Sequence, residues 1–482
     1  VGAQFWLEGV VALLGADGSV RAVEELAREL ARAELVTRRP SSALEGHAEW
    51  VFRHATVRET AYASFTPDDR VLAHRLAAQW LESVGATDAL ALAEHYRQGG
   101  ALERAAPFYL VAAEEALGGT DLAGAIERAR LGLEASTPDA TRGALHYVAA
   151  DAHFWCGEYE PALRQAELAL MLLPPGSSRW FLAIGAVANA AATLEEDALL
   201  TQWIGRASAT TADSESARAS QVVCLIRGAH GHHKRGRYPE ADVLIRAAEA
   251  LAGELGALSR LGWAWVHHGR AGRAYYAGEV GTFIREVRAA IDDFDAIGDG
   301  RAAANGRSNL GYAALSVGDL EQAELQLRES LLVCQRLNLG GITHYVRHNL
   351  GLVLALRGKL AEGLDVERAA LDDAIERKEG VLISACNMYL ALILLLANDH
   401  EEAERRATRA CETAKEIPFL LAQSHAVRSS VWLAQGRVGD ALGEAEHAAR
   451  LLAEQGGSEE SEGRVYLAHV EALIAVGQQE SA

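Results

Sequence analysis

Histidines crowd one stretch of this sequence, HGHHKRG at 230–236, and two more follow at His267 and His268. Imidazoles on neighbouring helices can converge on a metal ion such as zinc. Nothing in this spacing fixes a ligand set, and no carboxylate or thiol stands at a matching position. The expectation is therefore no metal site, with histidines that line a groove or surface. A groove that responds to pH is a variant of the same reading.

Motifs for bond-making chemistry are missing. There is no G-x-x-x-x-G-K-[ST] loop to cradle phosphate, and the four lysines (234, 359, 378, 415) sit in no such context. No kinase signature, G-x-S-x-G or H-E-x-x-H occurs. The expectation is a chain that is not an enzyme and holds no cofactor itself. Five scattered cysteines (156, 224, 334, 386, 411) form no C-x-x-C pair and read as buried filler in a reducing compartment. The net charge of −20 argues against wrapping nucleic acid. No apolar run reaches the roughly 20 residues that span a bilayer. A cytoplasmic location is expected. The first residue is Val, and VGAQFWLEGVVALLG already reads as amphipathic helix, so the chain looks like part of a longer protein.

The elements that carry these residues repeat. GEYEPA (157–162), GRYPEA (236–241), GDLEQA (318–323), GKLAEG (358–363), NDHEEA (398–403) and GRVGDA (436–441) share one pattern. Weaker copies are TDLAGA (120–125), GEVGTF (278–283) and a degraded one near Glu195. Starts at 318, 358 and 398 lie 40 residues apart. Small residues continue on one helical face after each turn, as in Ala403, Ala407 and Ala410, and let a second helix approach closely. Each unit is a helical hairpin that must stack on its neighbours to bury its apolar face. These residues resemble the tetratricopeptide repeat in its longer form of about 40 residues. The resemblance implies an all-α, right-handed superhelix of about nine hairpins over 99–482.

The first 98 residues differ. VRAVEELARELARAELV (20–36) reads as an amphipathic helix, AEWVF as a short strand, and Thr66-Pro67 as the start of another helix. FRHATVRETAY (52–62) resembles a block that follows the nucleotide-binding core in bacterial signal-transduction ATPases of the STAND class, some of them kinase-linked. That resemblance implies a small winged-helix-like domain at 1–98. It makes Arg53, His54 and Arg58 candidates for a switch that senses nucleotide, with ATP and magnesium held by an upstream domain. Ala55 stands where related ATPases carry an Asp beside the His.

Tetratricopeptide resemblance also implies a concave groove lined by the first helix of each hairpin. Its offsets select His230, His233, Trp265, His268, Tyr275, Asn305, Tyr312, Tyr345 and His348. Rigid aromatic anchors with a polar edge suit a peptide or protein ligand. The function expected is a protein-interaction and sensor region of a signal-transduction ATPase or kinase, with an ATPase domain upstream as its partner in cis. The alternative is a passive assembly scaffold with no switch role.

Overall fold

Every turn motif read from the sequence opens on a residue with left-handed backbone. Gly157, Gly236, Gly278, Gly318, Gly358 and Gly436 have φ between 66° and 83°, and Thr120, Glu195 and Asn398 adopt 66°, 63° and 59°. Glycine takes that conformation freely, and it closes the end of a helix. The degraded copy at Glu195 thus makes the same turn with a side chain present.

The computed structural model describes residues 4–15, 19–135, 137–415, 417–454 and 459–477. Three short strands are β1 (Gln4–Trp6), β2 (Val36–Arg38) and β3 (Glu49–Phe52). The first helices are α1 (Leu7–Leu14), α2 (Val20–Arg32), α3 (Ala55–Ala63), α4 (Pro67–Ser83), α5 (Ala89–Gln98), α6 (Leu102–Gly118), α7 (Leu122–Gly132) and α8 (Asp139–Cys156). Then come α9 (Tyr159–Leu172), α10 (Ser178–Thr193), α11 (Asp197–Ala209), α12 (Glu215–Lys234), α13 (Tyr238–Gly253), α14 (Ser259–Tyr276), α15 (Val280–Ile297) and α16 (Gly300–Ser316). The last are α17 (Leu320–Arg336), α18 (Gly340–Leu356), α19 (Leu360–Glu376), α20 (Gly380–Leu396), α21 (His400–Thr413), α22 (Pro418–Ala434), α23 (Val438–Glu454) and α24 (Glu459–Ala475). The fold is an all-α superhelical solenoid of tetratricopeptide-like hairpins with one small sheet. It divides into two compact units, Val1–Ala152 with Leu168–Leu173, and His153–Glu167 with Pro174–Ala482.

In the first unit the three strands pair antiparallel in the order β1-β3-β2. Two sequence expectations are corrected here. Residues 4–6 are strand rather than helix, with Phe5 opposite Trp50 and its ring 5.6 Å from that of Phe52. The helix expected over 20–36 stops at Arg32, because Glu34 turns left-handed at φ 61° and Leu35 N–H closes onto Leu30 O. Val36 then enters β2, 1% exposed, where a β-branched side chain packs well. Leu7, Val23, Ala27, Val36 and Trp50 form the core of this corner. The start of α4 follows the sequence signal: Thr66 Oγ1 accepts from Asp69 N–H and Pro67 opens the helix.

Hairpins of the second unit pack through their small residues. Ala241, Ala403, Ala407, Ala410, Ala441, Ala445 and Ala448 are fully buried. At Gly311 the approach is so close that a Cβ would lie 2.5 Å from Leu327 Cγ. α10, α11 and α12 pack in succession, so the stack continues through the turn at Glu195. No helix among the described residues is long and apolar enough to cross a membrane.

Candidate functional site

Of the N-terminal candidates, Arg53 and His54 are exposed and Arg58 is half-buried. His54 stands just before α3 with extended backbone, and its side chain caps no N–H. Arg53 pairs with Glu34 at 3.5 Å and Arg58 with the adjacent Glu59 at 3.4 Å. Helix α3 buries none of its residues. The three lie close together at the junction of β3 and α3.

The groove candidates of the second unit fall into linked sets. The His230 and His268 rings lie 6.1 Å apart, and Trp265 meets His268 at 5.7 Å and Phe294 at 5.5 Å. Arg227 lies over the Trp265 ring. Tyr275 and Tyr312 meet edge-on at 5.6 Å, and Asn305 is half-buried. Tyr345 donates to Glu379 Oε2 at 3.0 Å. The structure departs from the groove reading at His233 and His348, which are 2% and 8% exposed. His233 packs against Tyr238 and Tyr276, and His348 against Tyr389, because helix rotation turns them between layers instead of outward.

Burial governs the electrostatics of this wall. It drives the His230 pKa well down, helped by Lys234 and His268, and lowers His268 to about 4 with a further push from Arg227. Burial also raises the Tyr345 phenol, and the neighbouring Glu379 carboxylate adds to it. Lys234 keeps exposed surface, yet desolvation lowers its pKa against the pull of Glu379.

Against this wall sits a turn of the same unit, the tip between α8 and α9. Arg377 Nη1 donates to Cys156 O at 2.8 Å, and Arg301 lies 5.3 Å over the Trp155 ring. At Gly341, the second residue of α18, a Cβ would lie 2.9 Å from Phe154 O, and at Gly340 one would lie 2.6 Å from Cys156 O. Carbonyls at the end of α8 therefore face a guanidinium and the start of another helix, the polarity each end favours. Burial raises the Cys156 thiol to about 11, with Glu158 adding and Arg377 opposing.

Sequence reading missed Arg377, the Gly340–Gly341 pair and this tip, since their partners lie about 200 residues away in the chain. It also missed His–Glu pairs repeated at one spacing: His267–Glu286, His348–Glu367 and His425–Glu444, at 2.7, 2.7 and 2.6 Å. That 19-residue spacing is visible in the sequence and could have flagged them. The histidine stretch at 230–236 assembles differently. His230 reaches His268, while His267 turns to Glu286.

No family model and no curated protein matches the chain. Among solved structures it is similar to a Signal Transduction ATPase with Numerous Domains (STAND) protein with a tetratricopeptide repeat sensor from Pyrococcus horikoshii. That similarity has 12% identity and a TM-score of 0.40, over 99% of this chain and 62% of that one. The chain thus spans under two thirds of that relative's length. It is also similar to a Rap protein complexed with Competence and Sporulation Factor, at 12% identity and TM-score 0.46 over 70% of this chain and 99% of that one. Yeast Tom70 is similar at 13% identity and TM-score 0.35, over 86% and 97%. The functional reading therefore rests on this chain's own geometry.

Proposed function

We propose that this chain is a non-catalytic binding and sensor region whose second unit takes an extended peptide or protein segment. One observation supports the reading above others. The wall that carries Tyr345 already accommodates a polypeptide turn by its main chain, through Arg377 and a glycine pair with no side chains in the way. Trp265, Tyr275 and Tyr312 supply large rigid anchors nearby, the side-chain types that dominate binding energy. Asn305 adds a polar edge.

The likeness of FRHATVRETAY to STAND-class ATPases supports a switch role for the N-terminal corner, with Arg53, His54 and Arg58 facing a nucleotide held elsewhere. The reading includes a winged-helix-like module at 1–98, an upstream ATPase domain in cis and a cytoplasmic location. A ligand acts on such a switch only through a difference in affinity between its two states.

The test is panning of a random peptide library on the full chain, with Trp265→Ala and Tyr312→Ala proteins as counter-selection. Enrichment of sequences that bind the parent and not the variants is expected, and no such enrichment sinks the binding reading. Hydrogen exchange of the chain with a selected peptide then separates sensor from scaffold. Altered protection around His54 is expected of a sensor, and an unchanged pattern there leaves the scaffold.

A further inference from the structure

One His–Glu pair differs from its two counterparts. His348 lies on α18, Glu367 on α19 and Cys386 on α20, each 19 residues after the last, and their ligand atoms all lie within 4.8 Å. Glu367 and Cys386 are fully buried. His348 Nδ1 is 2.7 Å from Glu367 Oε1 and 3.6 Å from Cys386 Sγ. Glu367 Oε2 is buried with no hydrogen-bond partner, although an unpaired buried carboxylate oxygen is destabilising.

Two chemistries compete for this set. Nucleophilic catalysis fails on geometry, because thiol and carboxylate converge on the same ring nitrogen. A base that relays a proton needs one on each nitrogen. Metal ligation fits better. Zinc bonds of about 2.3 Å to sulfur and 2.0–2.1 Å to nitrogen place tetrahedral S and N roughly 3.6 Å apart. That matches the Cys386–His348 separation. The His348–Glu367 contact must open by about half an ångström, to the roughly 3.3 Å that tetrahedral N and O ligands require. Oε2 then supplies a fourth bond if the carboxylate becomes bidentate. Tyr389, stacked 4.1 Å from the His348 ring at 18°, holds the imidazole's orientation.

The related cluster of Cys411, His425 and Glu444 sets the contrast. There Arg428 Nε donates to Glu444 Oε1 at 2.5 Å, so a guanidinium occupies the carboxylate and repels a cation. Among the described residues no guanidinium or ammonium pairs with Glu367, whose ion pair is with His348.

We propose that His348, Glu367 and Cys386 form a buried site for a thiophilic divalent cation of the zinc type, which staples the hairpin α18–α19 to α20. A neutral imidazole, a thiolate and a carboxylate balance the two positive charges, so the loaded site is electrically neutral.

The test is a cobalt(II) titration of the full chain, read by absorbance. One equivalent is expected to give a near-ultraviolet thiolate-to-cobalt band with tetrahedral visible bands, displaced by zinc. Cys386→Ala, and Cys386→Ser as a milder change, are expected to abolish the thiolate band, and Cys411→Ala to keep it. Circular dichroism identifies which variants are folded. A wild-type chain without the thiolate band overturns the assignment, as does a band that persists in either folded Cys386 variant.

Discussion

Arg377 reaches the main-chain oxygen of Cys156 across 2.8 Å, although 221 residues separate them in the chain. A charged donor on a carbonyl contributes about 1.5–3 kcal/mol when shielded and less at a half-exposed site such as this. Arg377→Ala is therefore expected to speed amide exchange of Gly157 and Glu158 by roughly five- to tenfold, leaving α12 to α17 unchanged. Exchange mass spectrometry reads both regions at once. Unaltered protection at the tip would mean that the glycine contacts and the Arg301–Trp155 stacking suffice to hold it.

Buried histidines make stability depend on pH. The pKa values of His233 and His268 fall to about 4 in the folded chain, from 6.5 when unfolded, with burial the main cause. The unfolded chain then binds more protons between those values, so stability rises with pH across that window and is lost as pH falls from 6.5 towards 4. Each group contributes at most about a tenfold change in folding constant per pH unit. Urea melts at pH 7, 6 and 5 check this. His268→Gln is expected to flatten the slope, and a curve parallel to the parent's speaks against the assignment.

Glycine-to-alanine changes inside helices should have opposite signs at two positions. In α11, a Cβ at Gly205 meets nothing within 4 Å. Gly205→Ala is expected to stabilise by roughly 0.5–1 kcal/mol through helix propensity. In α16, a Cβ at Gly311 lies 2.5 Å from Leu327 Cγ, and overpacking of that kind costs about 1–3 kcal/mol. Gly311→Ala is therefore expected to destabilise despite the same propensity gain. Thermal melts of the two variants decide it by the direction of each shift.

Glu324 holds three cations at once: Arg328 Nε at 2.7 Å, Arg357 Nη1 at 2.6 Å and Lys359 Nζ at 2.7 Å. Burial works to raise its pKa, but hydrogen bonds from Lys359 and Arg328 outweigh that and bring it to about 2. The stability it gives is present above its unfolded pKa near 4.5 and lost as pH falls through about 2. Because the cations are half-exposed, Glu324→Gln should cost about 2 kcal/mol at pH 7, below the range for fully buried pairs. The difference from the parent should shrink near pH 2, measured by denaturant melts at both values.

The solenoid was legible because its signal is periodic. Ala403, Ala407 and Ala410 mark a buried helical face, and Gly318 or Asn398 marks a turn whose backbone demands it. Even Glu195 kept its place in the phase of the repeat. The sheet was less legible. Gln4–Trp6 and Val36–Arg38 are three residues each, too short for alternation to show, and Val36 continues an apolar helical pattern in sequence. Of the positions carried over by offset, Trp265 and Tyr312 are half-buried and pack against neighbouring rings. The offsets slipped at His233 and His348, where about 100° of rotation per residue decides between a layer and a surface. The Arg377 contact has no local signature at all.

The same contact has a consequence for the order of folding. Hairpins touching only their neighbours can nucleate anywhere and grow quickly. Joining residues 156 and 377 in a disordered chain carries a loop-closure penalty of roughly 5 kcal/mol by the logarithmic rule. Once the intervening hairpins have stacked, their geometry has already brought the ends together. The tip must therefore dock late in folding, after the solenoid it rests on, and it can detach before any hairpin melts.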